Sequence, residues 1–386
     1  KMQAIAGSHY NFSLPESFWI AAGSLTGSDQ SAQAFQTQGY LALIRNFFSR
    51  VWFLMYLLGA SPAVCASFLQ GNTNHPLQPM GNDHHSYYLP FATTLRMGDL
   101  GYTSNAQAGM DVCYNDLDEY ISALRSAILT PHAPYSQFDV MDNGERTQLN
   151  ASLLQIENEY YSPIRPKRVA QSGEAPVVAL ARNGIEYVEV RCVDINPFMP
   201  FGIDADTMRL IDLFLLACLI DDSPQCDAVG QRQNTINLQR MVNRGRENGL
   251  TLLSRQGVET PLPDLAEPIL ESMAAVAQWY DSQYAGNDYQ RVVDHARQQI
   301  RDPELTLSAR ILREMESAQQ SFWQLALRYS REWHTQHLSD AMPDATWQLM
   351  TREAEASLQR QQELEAQDSQ PFDTYLSQFY DQYHSV

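Results

Sequence analysis

Nineteen consecutive residues without a charge, Val51 to Leu69 ("VWFLMYLLGASPAVCASFL"), constrain this chain more than any other stretch. Such a run has two places to go: lipid, which takes about 20 apolar residues to cross, or a protein interior large enough to enclose it. Gly59, Ser61 and Pro62 interrupt the run in its middle, and no second span is present for it to pack against. Read from Ala32, the pattern continues as one helix to Leu58 and carries Arg45 and Arg50. The expectation is a buried core helix with the fold built around it, and no membrane. A chain of 386 residues, 44% of them hydrophobic, can supply that interior.

The formal net charge is −19, which repels nucleic acid and anionic membranes, so neither is expected as a partner. An anionic substrate would need a local cluster of cations. Of the 26 basic residues only Lys1 and Lys167 are lysines, an arginine bias that runs through the whole chain. Lys167 stands out by its place between Arg165 and Arg168. The cysteines (Cys65, Cys113, Cys192, Cys218, Cys226) are odd in number, dispersed and without a C-x-x-C, as expected of reduced thiols in a cytoplasm. The opening "KMQAIAGSHYNFSLP" has no apolar core of signal-peptide length and begins with Lys, which suggests a piece of something longer.

Gln70 to Pro90 is polar and rich in Gly, Pro and Asn, the composition of a long loop. Asn143-Gly144 predicts a hairpin flanked by strands near Phe138–Met141 and Arg146–Leu149. "SLLQIENEYY" alternates weakly and is expected to be a strand. "EAPVVALARNG" predicts a short helix with Pro176 near its start and Gly184 past its end. A strand follows from Ile185 to Val193, placing Tyr187, Glu189 and Arg191 on one face and Val188, Val190 and Cys192 on the other. Asp204 caps a helix that is apolar nearly all round. Beyond Leu262 the chain reads as helical and charged. The fold class is α+β, with residues 1–262 a catalytic unit of sheet and packed helices and 263–386 a mainly helical part of the same unit.

The sequence has no P-loop, Rossmann fingerprint, H-E-x-x-H or G-x-S-x-G. His334 and His337, and His84-His85, read as exposed histidines, since neither pair has a third ligand nearby. What remains is polar residues set among aromatic ones. "GSHYNFSLP" puts His9 and Asn11 on one face of an extended run. "YYLPFATTLRMGDLGYT" holds Arg96, Asp99 and Tyr102. "QIENEYYSPIRPKR" offers Glu157, Glu159, Tyr161, Arg165, Lys167 and Arg168, and "EYVEVR" adds Glu189 and Arg191. Each reads singly as a structural ion pair; four such clusters together point to a site for an anion and a metal. That set suits phosphoryl transfer from ATP to a carboxylate, in which carboxylates hold Mg²⁺ and arginines neutralise the moving group. The resulting acyl phosphate gives an incoming amine a good leaving group, provided water is kept out.

The blocks "GSHYNFSLP", "GASPAVCASFLQG", "YYLPFATTLRMGDLGYT", "LLQIENEYYSPIRPKR", "GIEYVEVRCVDINPF" and "LTLSARIL" resemble, in order and over essentially the whole chain, the proteobacterial type of glutamate–cysteine ligase. The resemblance implies a glutamine-synthetase-like fold whose largely antiparallel sheet forms an active-site funnel, flanked by helices. It implies Mg²⁺, with Mn²⁺ as a substitute, and ATP, L-glutamate and L-cysteine as substrates joined through γ-glutamyl phosphate in the first step of glutathione synthesis. By that resemblance Glu189 is a metal ligand, Arg191 meets the transferring phosphoryl group, and His9 lies at the metal and substrate site beside Asn11. Arg96 is expected to bind the α-carboxylate of glutamate, Tyr102, Tyr161 and Ile5 to line the cysteine pocket, and Arg165 and Lys167 to reach the nucleotide phosphates. A cytoplasmic monomer is expected. The family's first strands, with further acidic metal ligands, would precede the "GSHYNFSLP" block, so the chain is expected to be a truncated ligase. A related ligase with another amine acceptor, or an inactive binding remnant, are the alternatives.

Overall fold

The uncharged run begins inside a helix, and the helix sits inside the protein. The computed structural model describes residues 7–69, 74–81, 85–101, 105–107, 109–110 and 112–386. Its first elements are β1 (Gly7–Phe12), α1 (Glu16–Thr26) and α2 (Ala32–Leu58). Ser31 caps α2 by accepting from the Ala34 N–H at 3.2 Å. Every side chain from Val51 to Leu58 is buried. By length and composition α2 could cross a bilayer, yet most of its apolar stretch is enclosed by protein. Its polar residues are satisfied internally: Asn46 donates to the carbonyls of Cys218 and Asp221 at 2.8 and 3.1 Å, and Arg50 pairs with Asp221 at 2.6 Å.

The next segment holds β2 (Ala63–Cys65), α3 (Ala66–Leu69), β3 (Gln78–Met80) and β4 (Ser86–Tyr88). The three strands form an antiparallel sheet in the order β2-β4-β3. The polar stretch expected to be one long loop thus folds in part as sheet, because Tyr87 and Tyr88 give it something to pack. After α4 (Leu117–Leu129) come β5 (Met141–Asp142) and β6 (Glu145–Arg146). The predicted hairpin is there, with Asn143 and Gly144 at φ 50° and 83°, the signs a type I′ turn demands. Its strands are only two residues each, shorter than expected, since exposed Phe138 and Met141 lie over no core.

"SLLQIENEYY" is not a strand. It forms bends and a 3₁₀ turn at Glu157–Glu159. Glu157 is spent on side-chain bonds, accepting from the Val177 N–H and from the Tyr383 hydroxyl, and the Gln155 N–H bonds the Glu159 carboxylate. Side chains have taken over bonds that a ladder would supply. Then follow β7 (Ile164–Lys167), α5 (Pro176–Asn183), with Pro176 at its start and Gly184 past its end as predicted, and β8 (Tyr187–Asp194). β8 is the centre of an antiparallel sheet, β1-β8-β7.

The remainder is largely helical: α6 (Ala205–Ile220), α7 (Ala228–Arg244), the short pair β9 (Thr251–Leu253) and β10 (Glu259–Pro261), then α8 (Leu262–Tyr284), α9 (Asp288–Arg301), α10 (Leu307–Ser317), α11 (Phe322–Ser339), α12 (Asp344–Gln367) and α13 (Phe372–Asp381). Asp204 caps α6 as expected, accepting from the Thr207 N–H at 2.8 Å. α2 and α6 meet through aromatic rings, Phe47 and Phe53 lying 5.7 and 5.8 Å from Phe214. Leu262, Ile269 and Met273 of α8 and Val293 and Ile300 of α9 join the same core. The class is α+β with small antiparallel sheets, weighted further towards helix than the sequence pattern suggested.

Candidate functional site

One face of the β1-β8-β7 sheet gathers most of the residues singled out from sequence. Antiparallel register sets Asn11 of β1 and Arg165 of β7 on either side of Glu189, and Lys167 beside Tyr187. Directly paired residues share a face, so Glu189 is flanked by polar side chains from both neighbouring strands. Beneath them Val188, Val190 and Cys192 are buried, on the alternation expected. The β1–β8 register shifts between Ser8 and Tyr10, where β8 carries one residue more than β1. His9 occupies that irregularity, and bulges of this kind re-aim the side chains around them.

Charge at this face is unlike that of the whole molecule. Glu189 receives Arg191 Nη1 at 2.8 Å on one oxygen, with Lys167 Nζ at 3.6 Å from the same atom. His9 Nδ1 stands 3.6 Å from the other oxygen. Burial alone would raise the Glu189 pKa; the Arg191 hydrogen bond and the charges of Lys167, Arg191 and His9 outweigh it and hold the carboxyl below its ordinary range. Lys167 is lowered, first by burial and then by Arg165 and Arg191, against the opposing pull of Glu189. His9 is also lowered, by burial and by Arg191, despite its carboxylate neighbour. The short His9–Glu189 distance is therefore a contact of neutral imidazole with carboxylate, because the surrounding guanidinium and ammonium groups make a second proton unwelcome. One carboxylate beside two cations, Arg191 and Lys167, leaves surplus positive charge on this face, the kind of field that suits an anion.

Arg165 and Arg96 are placed differently. Arg165 is buried, and its Nη2 donates to the carbonyls of Asn158 and Tyr160, which fixes the turn leading into β7. Arg96, in the 3₁₀ turn Leu95–Met97, is buried behind the end of β8. Its Nε donates to Asp194 Oδ1 at 2.6 Å and its Nη2 to the Arg191 carbonyl at 3.3 Å. The other Asp194 oxygen accepts from the Ala60 N–H and the Ser61 hydroxyl, each at 2.7 Å. A Cβ on Gly7 would come within 2.7 Å of the Arg96 guanidinium, so glycine is what lets β1 approach it. Asp194 is the functional-site residue that reading the sequence missed. The signal was there: an acid ending an apolar strand, directly after the consecutive buried pair Cys192 and Val193 breaks the alternation.

Tyr161 is half-buried, and its N–H donates to Gln107 Oε1 at 2.9 Å while Gln107 Nε2 donates to the Glu159 carbonyl at 2.8 Å. The 105–107 turn is thereby clamped to the approach to β7. Ile5 and Tyr102 lie outside the described residues. Among the described residues no group of three His, Cys, Asp or Glu side chains gathers. His337 stacks against Phe201, 5.1 Å between rings, as a surface residue of α11. Clefts of about 500 Å³ between α4, α5 and Val386, and about 440 Å³ along α9, do not touch the cluster on the sheet.

The glutamate–cysteine ligase family profile matches residues 1–241. A glutamate–cysteine ligase of Pseudomonas paraeruginosa is 47% identical over 382 residues, covering 98% of this chain and 71% of the relative. One from Azotobacter vinelandii is 46% identical over 384 residues, with the same coverage of 98% and 71%. The crystal structure of the Francisella tularensis glutamate–cysteine ligase in complex with AMP is 31% identical and superposes with a TM-score of 0.90, over 100% of this chain and 74% of that one. A bifunctional glutathione synthetase from Pasteurella multocida, 21% identical with a TM-score of 0.61 over 85% of this chain, shares the fold.

Proposed function

The chain belongs to the glutamate–cysteine ligase family, and from that premise we propose that its sheet face carries the ATP-dependent joining of the L-glutamate γ-carboxylate to the L-cysteine amine, in the first step of glutathione synthesis. The observation that carries this reading is Glu189 set among Arg191, Lys167 and His9 on one face of β8. The γ-phosphoryl group of ATP passes to a γ-carboxylate oxygen and ADP leaves. The cysteine nitrogen then attacks the acyl carbon, phosphate departs, and the nitrogen loses a proton. Both steps bring anions together, and the cations around Glu189 lower that repulsion.

Arg191 is the group for the transferring phosphoryl, since its guanidinium presents planar donors that match phosphate oxygens. Lys167 is a second point charge for the nucleotide. Arg165 supports the site by holding the turn before β7. Asn11 and Tyr161 frame the face from β1 and from the turn before β7.

The donor set fits Mg²⁺ at its minimum. Mg²⁺ keeps water and phosphate oxygens in its shell and asks the protein for one or two carboxylates; Glu189 provides one, with His9 beside it. When bound, the ion would neutralise phosphate charge. Five cysteines, none in a disulfide, suit a reducing compartment, and we propose that the protein works there as a monomer.

The test is ADP release with Mg²⁺-ATP and L-glutamate, with and without L-cysteine, for wild type and Glu189→Gln. Cysteine-dependent release that falls by about 100-fold or more in the variant, with unchanged circular dichroism, is expected. Full activity in Glu189→Gln, or release indifferent to cysteine, would refute the assignment.

A further inference from the structure

Away from the sheet face, two thiols are in direct contact. Cys113 Sγ lies 2.8 Å from Cys226 Sγ, although the two residues are far apart in sequence. Cys113 sits in the segment before α4, and Cys226 in the connection between α6 and α7, next to the Asp227 cap of α7. Closing to a bonded separation of about 2.05 Å takes a movement of less than about 1 Å.

The surrounding chain is already clipped together. Cys226 N–H donates to Asn115 Oδ1 at 2.7 Å, and Asn115 Nδ2 donates back to the Cys226 carbonyl at 3.1 Å. Gln231 of α7 donates to the Val112 carbonyl at 3.4 Å and to Cys113 Sγ at 3.2 Å. Tyr114, buried and stacked 5.1 Å from Phe48 and 5.2 Å from Tyr120, anchors the segment between these bonds, and Arg45 of α2 donates to its carbonyl at 2.7 Å. A covalent link would add to a geometry the polar contacts hold. Both thiols are half-buried and reachable, whereas Cys192 and Cys218 are enclosed and burial pushes each thiol up to about 12.

We infer that Cys113 and Cys226 form a reversible dithiol–disulfide site whose co-reactant is the disulfide of a small aminothiol. One cysteine thiolate attacks a sulfur of the small disulfide, releasing one aminothiol and leaving a mixed disulfide on the protein. The second protein thiolate attacks the protein-side sulfur, closes the internal bond and releases the other aminothiol. The protein loses two electrons and two protons, and the small disulfide becomes two thiols. The bond ties the segment that leads from Arg96 towards α4 to the α6–α7 connection, so oxidation rigidifies the chain on the far side of the Arg96 turn.

The experiment equilibrates the full chain with cysteine–cystine mixtures of graded ratio, quenches with acid, alkylates free thiols and maps peptides by mass. The expected result is a single Cys113–Cys226 cross-link that appears as cystine rises, reverses with excess cysteine, and raises the thermal midpoint. Cys226→Ser should leave Cys113 holding a cysteinyl mixed disulfide with no cross-link. Alkylation of both cysteines across the whole range would overturn the inference, as would a cross-link that forms only in urea. If the serine variant does not fold, the wild-type peptide map decides alone.

Discussion

Replacing Asp194 by Ala removes the acceptor on which the Arg96 turn, the Ala60–Ser61 turn and the end of β8 converge. Both members of the Arg96–Asp194 pair are almost wholly enclosed, with side chains 6% and 3% exposed. Breaking such a pair by deleting one partner costs about 3–5 kcal/mol, because the surviving charge is left buried and uncompensated. With an unfolding entropy near 2.1 cal/mol/K per residue, a 386-residue chain melting as one unit would lose about 4–6 °C. The assay is urea and thermal unfolding of wild type, Asp194→Ala, Arg96→Met and the double variant. Much of the Asp194→Ala cost is the stranded guanidinium, so the double variant should be more stable than Asp194→Ala alone, with a coupling well above the roughly 0.5 kcal/mol of independent sites. Additive costs, or an Asp194→Ala loss below about 1 kcal/mol, would show that the pair is solvated and that Arg96 is held by something else.

His9 tests the reading of the site's charge. Its folded pKa is lowered, so between that value and the unfolded one, about 6.5, the unfolded chain binds the proton more readily and stability rises with pH. His9→Gln should flatten that stretch of the stability–pH curve; a curve that steepens instead would mean a protonated His9 paired with Glu189. Lys167→Met should raise KM for ATP by about 10- to 100-fold while changing kcat less, the size of a lost hydrogen bond to a charged group, and an unchanged KM would remove Lys167 from the nucleotide site. Tyr383→Phe strips one donor from buried Glu157 and should cost about 1–3 kcal/mol in urea unfolding; a neutral effect would show that Glu157 finds another donor.

Those predictions draw on parts of the molecule that were unequally legible in the sequence. The long core helix, the caps at Ser31 and Asp204, the Asn143-Gly144 turn and the two-faced strand around Glu189 follow from local chemistry, and the structure repeats them. The pairing of His9 and Lys167 with Glu189 is another matter. It depends on which strands lie beside β8, and no local pattern says that β1, far away in the chain, is its neighbour. The error at "SLLQIENEYY" has the same origin: Glu157 serves Val177 and Tyr383, and partners that distant leave no periodic trace. Arg165 and Lys167 look equivalent in "RPK", yet one turns to backbone carbonyls and the other to Glu189.

The register shift at His9 explains how one strand can serve both chemistry and architecture. Up to Arg191 the odd-numbered positions of β8 lie on the partly exposed face that carries Glu189 and the even ones face the core. Continued alternation would bury Asp194, an even position, but would expose Val193; the extra residue opposite His9 comes where that odd position is buried as well. Beyond the bulge Cys192, Val193 and Asp194 are all enclosed, and the strand changes from presenting charge to burying it. The carbonyl of Arg191 marks the handover, accepting from Arg96 Nη2 while its own side chain bonds Glu189. Arg96 and Arg191 are thus mechanically linked through one residue's backbone. A change in either residue's position therefore has a direct path to the other through that carbonyl.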